Sequence, residues 1–140
     1  MKQTVVLSIR GCQRYEEQEP EIIELVTEGV LEKRNGGWDI SYEESDLTGL
    51  AGVTTTFRVE GKTVTLTRTG NLTSQMVFKV GIPHESLYNM GFGVLMITVN
   101  ATKIRHELSA EGGWVDLSYG ISIEQSAAGN IDYRLEIKTK

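Results

Sequence analysis

Residues 53–70, VTTTFRVEGKTVTLTRTG, read as two strands around one tight turn. Val53, Thr55, Phe57 and Val59 alternate with Thr54, Thr56, Arg58 and Glu60; Glu60-Gly61-Lys62 reverses the chain; Val64 and Leu66 then alternate with Thr63, Thr65 and Thr67. A period of two is the signature of a strand with one buried face, and a helix of about 3.6 residues per turn cannot satisfy it. The same unit recurs throughout. Val5, Leu7 and Ile9 share one phase, as do Trp38, Ile40 and Tyr42 after the Asn35-Gly36-Gly37 turn. Further along come Leu72, Ser74, Met76 and Phe78, then Ile104, His106 and Leu108, then Val115, Leu117, Tyr119, Ile121 and Ile123. After a turn placed at residues 127–130, Ile131, Tyr133, Leu135 and Ile137 close the series. About ten short strands joined by hairpin connections point to an antiparallel sandwich or an up-and-down barrel. Closure into a barrel removes open edges, and no proline is placed to guard one.

Three segments depart from the pattern. EPEIIELVTEGVLEKR, residues 19–34, allows a helical stripe through Ile22, Leu25, Val26, Gly29 and Val30, or a strand with Ile23, Leu25, Thr27, Gly29 and Leu31 inside. Its β-branched content and the interior glycine favour the strand. PHESLYNM, residues 83–90, has Pro83 at a helix-start position and Gly91 at a stop, so a short helical turn is expected there. FGVLMITV, residues 92–99, is almost continuously apolar and suggests burial on both faces or a strand passing beneath the loop before it.

With 140 residues and 39% apolar content the chain, residues 1–140, is expected to be one domain with one core. A net charge of −5 with no basic stripe argues against nucleic acid and anionic membrane surfaces. The single cysteine, Cys12, cannot form an intrachain disulfide, and a lone thiol fits a reducing cytoplasm. With only two histidines beside it, no metal-ligand spacing emerges, and no cofactor is expected. MKQTVVLSIRGC has too short an apolar run for a signal peptide or a span. The sequons at Asn71 and Asn100 are therefore read as turn chemistry. Gly91-Phe92-Gly93 is followed by no helical pattern and is not a phosphate loop.

In order along nearly the whole chain, SYEESDL at 41–47, TRTG at 67–70, MVFKVG at 76–81, YNMGFG at 88–93 and GGWVDLSY at 112–119 resemble the YwiB-like family of uncharacterised bacterial proteins. The resemblance implies a single lipocalin-like (calycin) β-barrel of about ten strands. It also implies a strand over residues 21–32, and it implies no activity.

If the apolar phase faces inward, it carries Tyr42, Thr55, Arg68, Ser74, His106, Tyr119 and Tyr133 with it. A few polar groups in an apolar cup are what line a ligand pocket. The candidate ligand-binding set is Arg68, His106, Tyr42, Tyr119 and Tyr133. Each also has an ordinary structural reading. The tyrosines and His106 suit core or rim positions. Arg68 suits a latch across a barrel end, stacked on Trp38 or Trp114 and paired with Glu43, Glu44 or Asp116. In the latch reading Arg68→Met is destabilising, because it orphans a buried acid. Cys12 has no histidine nearby in sequence to make it a nucleophile. The function expected is non-enzymatic binding of a small apolar or amphipathic ligand inside the barrel. The alternative is a filled barrel that contacts a protein partner.

Overall fold

The computed structural model describes residues 2–15, 19–45, 51–71, 73–89, 94–124 and 126–140, with residues 15, 88, 89 and 126–128 as backbone. Ten strands make one antiparallel sheet: β1 (Lys2–Tyr15), β2 (Glu21–Arg34), β3 (Gly37–Glu43), β4 (Val53–Glu60), β5 (Thr63–Gly70), β6 (Ser74–Lys79), β7 (His84–Asn89), β8 (Val94–Ser109), β9 (Gly112–Ile123) and β10 (Ser126–Thr139). No helix occurs among the described residues.

The strand order is β6-β5-β4-β3-β2-β1-β10-β9-β8-β7, so strands pair with their sequence neighbours except β6 and β7, which form the two edges, and β1 pairs with β10. The sheet curls until its two edges meet, giving a nearly closed up-and-down barrel. At this seam Lys79 bridges Ile82, and the Val77 N–H donates to Nδ1 of His84 at 3.3 Å.

Inward-facing residues line up in rows across the paired strands. Trp38, Val59, Val64 and Phe78 form one row over β3 to β6. Ile40, Phe57, Leu66 and Met76 form the next. Both rows join a buried cluster with Leu7, Leu117 and Leu135 from the other wall. Phe78 and Tyr119 pack at 4.6 Å between ring centroids, and Tyr119 stacks on Tyr133 at 6.4 Å. The barrel is therefore filled by side chains through its middle, as eight-to-ten-stranded barrels of this width generally are. On the outer faces Thr65, Arg58, Ser118 and Arg134 are only partly covered.

Four local expectations are corrected. Residues 84–89 are a strand: Pro83 and Gly91 offered local helix signals, but pairing with β8 from His84–Val99 to Asn89–Val94 decides the conformation. The run through β8 is not buried on both faces: Ile97 and Val99 point inward, whereas Val94 is 56% exposed. The last turn comes earlier than residues 127–130, at Glu124, and β10 instead absorbs a bulge between Ala127 and Gly129. Ile121 is half-buried rather than inaccessible, because it lies near the end of β9, beside the exposed Ile123.

Candidate functional site

The third inward row is polar. Tyr42 on β3, Thr55 on β4, Arg68 on β5 and Ser74 on β6 lie side by side, each pair directly in register. Just past the end of β3, in the same phase, comes Glu44, 8% exposed. Thr55 Oγ1 donates to Glu44 Oε2 at 2.7 Å, and the Tyr42 hydroxyl donates to the same carboxylate. Two hydroxyl donors partly offset the cost of burying this acid.

The row borders a cavity of about 430 Å3 at one end of the barrel. Across from Arg68 and Tyr42, its far wall is Ile9 and Gly11 of β1, Ile23 and Leu25 of β2, and Tyr133 of β10. The Tyr133 ring lies across Gly11: a Cβ there would stand 3.3 Å from it, closer than the ring comfortably allows. The mouth opens where β3 parts from β2. Pairing between them covers only Val30–Ser41 to Arg34–Gly37, and at Gly29 a Cβ would meet the Ser41 carbonyl oxygen at 2.6 Å. Beyond that pinch β2 and β3 separate.

Arg68 lines this cavity. Its Nε is buried and has no hydrogen-bond partner among the described residues. The expected latch is not made. Trp38 carries Lys33 over its ring at 5.6 Å, and Trp114 carries Arg134 at 4.6 Å. Asp116 is held by Arg134 Nη1, which lies 2.9 Å from both of its oxygens. Trp114 and Asp116 are in the opposite phase to the buried Val115 and Leu117, so they cannot reach an inward arginine.

Of the residues named from sequence, Arg68, Tyr42 and Tyr133 meet at the cavity, while Tyr119 sits in the filled core beside it. His106 is elsewhere: its Nε2 donates to the carbonyl of Gly61, in the turn that enters β5, whereas Arg68 lies near the far end of that strand. The sequence offers Glu44 only as a latch partner. Its phase with Trp38, Ile40 and Tyr42 was legible, but its bond to Thr55 depends on the β3–β4 register.

Burial first, and then the negative charge of Glu44, push the Tyr42 phenol well above its ordinary value of 10.0; Arg68 acts in the opposite direction. The folded chain thus keeps this proton to higher pH than the unfolded chain does. The associated stability is fully present below about pH 10 and is lost as pH rises above it. Urea midpoints should fall more between pH 8 and 11 for the wild type than for Tyr42→Phe. Equal falls would contradict this placement of the phenol.

A family model described as a domain of unknown function, DUF1934, matches residues 7–137. This chain belongs to the DUF1934 family. Among solved structures, the ywiB protein from Bacillus subtilis is similar over 99% of this chain and 94% of its own, with a TM-score of 0.83 and 22% identity. At that identity the likeness concerns the fold: the DUF1934 barrel seen here and the ywiB protein share one architecture. No curated protein matches the chain.

Proposed function

We propose that this DUF1934 barrel is a binder, not a catalyst, and that it holds a small amphipathic molecule in the end cavity. The observation that carries the reading is the buried Nε of Arg68 on the cavity wall, which has no partner among the described residues. A desolvated donor left unpaired costs about 1–3 kcal/mol or more, and an acceptor on a ligand removes that cost. The volume lies within the usual range for small-molecule sites, roughly 300–1,000 Å3. Ile9, Ile23 and Leu25 supply the apolar floor.

The charges narrow the ligand. One guanidinium faces two carboxylates on the lining, Glu21 and Glu44. A simple anion would gain one contact and meet two repulsions. A neutral or zwitterionic molecule with an acceptor for Arg68 and a donor for the carboxylates fits better. A cytoplasmic setting without nucleic-acid or membrane partners accompanies this reading, supported by the lone thiol and the net charge of −5.

Thermal melts with three probes test it: octanoate, octanamide of the same chain length, and leucinamide bearing a short acyl chain. The two amides should raise the melting temperature in proportion to the logarithm of concentration, and octanoate should not. A null result with both amides, or a response that survives Arg68→Met, counts against the site.

A further inference from the structure

A second surface adjoins the cavity mouth. β2 pairs with β1 from Glu21 to Glu32 but with β3 only from Val30 onward. Over residues 21–29 its other edge has no strand partner among the described residues. Alternate N–H and C=O groups along that edge point away from the sheet, a template for another strand. The segment is apolar as well as open: Ile22 is 51% exposed, Ile23 43% and Val26 70%. Long, exposed apolar edges are normally blunted with lysine or proline, and residues 21–29 contain neither.

Its charge is of one sign. Glu21, Glu24 and Glu28 lie in the segment, and no basic residue occurs on β2 before Lys33. The cations that touch these acids come from the inboard side. Arg10 of β1 lies 3.9 Å from Glu24, and Lys140, whose backbone bonds to Thr4 of β1, meets Glu28. Both pairs are exposed and weakly held. The phase then fixes what an added strand must look like. On the inner side it would lie beside Ile23 and Leu25, over the cavity, and needs apolar side chains. On the outer side it would lie beside Ile22, Glu24, Val26 and Glu28, and needs basic ones opposite the glutamates.

We infer that residues 21–28 of β2 receive, by strand addition, an extended segment of a protein partner in which basic and apolar residues alternate. The inference does not rest on the small-molecule reading. A second copy of this chain is a poorer occupant, because two β2 edges bring together like-charged segments, each with Glu21, Glu24 and Glu28 and no basic residue.

Amide hydrogen exchange on the full chain, with a capped (Lys-Val)4 octapeptide as probe, tests this. In the free chain the edge-facing amides of residues 21–28 should exchange rapidly, and the peptide should slow them about tenfold or more. A (Glu-Val)4 peptide, and (Lys-Val)4 N-methylated at every residue, should do neither. The double variant Glu24→Lys, Glu28→Lys, altered only at exposed positions, should bind (Lys-Val)4 about tenfold more weakly. Arg68→Met should leave the peptide response intact, which separates this site from the cavity. Amides already protected in the free chain, equal binding of the N-methylated peptide, or pairing of the chain with itself through this edge would each overturn the inference.

Discussion

Truncation of Phe78 to alanine is expected to cost ~3–5 kcal/mol of folding stability, the upper range for emptying an aromatic site in a filled core. The ring is fully buried in the row with Trp38, Val59 and Val64. It packs 4.6 Å from Tyr119 between centroids. It also lies on β6, the strand that meets β7 and β8 at the seam, where few backbone bonds join the sheet edges. Pairing there rests on the Lys79–Ile82 bridge and a few hydrogen bonds, including one from Gly81 N–H to the Ala101 carbonyl. Side-chain packing therefore carries more of the closure at this seam than elsewhere. Leu117→Ala and Leu135→Ala, on continuously paired strands, should cost ~2–5 kcal/mol. Urea denaturation of the three variants checks the order. A loss below about 1 kcal/mol for Phe78→Ala would mean the barrel interior relaxes to fill the space, contrary to the dense packing described.

The alternation that predicts Phe78 as inward is visible in six residues of sequence, and so is that of Phe57, Leu66, Leu117 and Leu135. Side-chain direction in a strand is set by parity, a local property. What parity cannot show is which strands stand opposite. Residues 83–90 illustrate the limit: Pro83 and Gly91 are valid local helix signals, and only the distant β8 turns His84–Asn89 into a strand. Segment 21–34 shows the reverse case. Its β-branched residues indicated a strand, but nothing local indicated that β3 would leave it after five paired residues, Val30 to Arg34. The open edge and the cavity mouth both follow from that divergence. Glu44 was missed as a site residue for the same reason. Its inward parity was plain, but Thr55 lies eleven positions away, and only register brings its hydroxyl to 2.7 Å.

For Arg68→Met the structure reverses the expectation drawn from sequence. Parity placed the guanidinium inward, and the cost of a buried charge seemed to demand a carboxylate latch whose loss would be destabilising. The guanidinium does face the cavity, but Glu44 takes the hydroxyls of Thr55 and Tyr42, and Asp116 is occupied on the outer face. With Nε buried and unpaired, the wild-type empty protein already bears a desolvation cost that methionine does not. Methionine keeps the apolar stem against the wall and drops the unsatisfied donor. The positive field that Arg68 casts on Tyr42 is lost in exchange, which limits the gain. The empty variant should therefore melt at the wild-type temperature or above it, with a gain of up to ~1–3 kcal/mol. A ligand that uses Arg68 adds ~2.7 kcal/mol to the wild type at one hundred times its dissociation constant, and the variant should lose that increment. The two effects have opposite signs in the empty and loaded protein. Paired melts with and without the octanamide probe separate a binding arginine from a structural one: a structural latch predicts the same deficit in both.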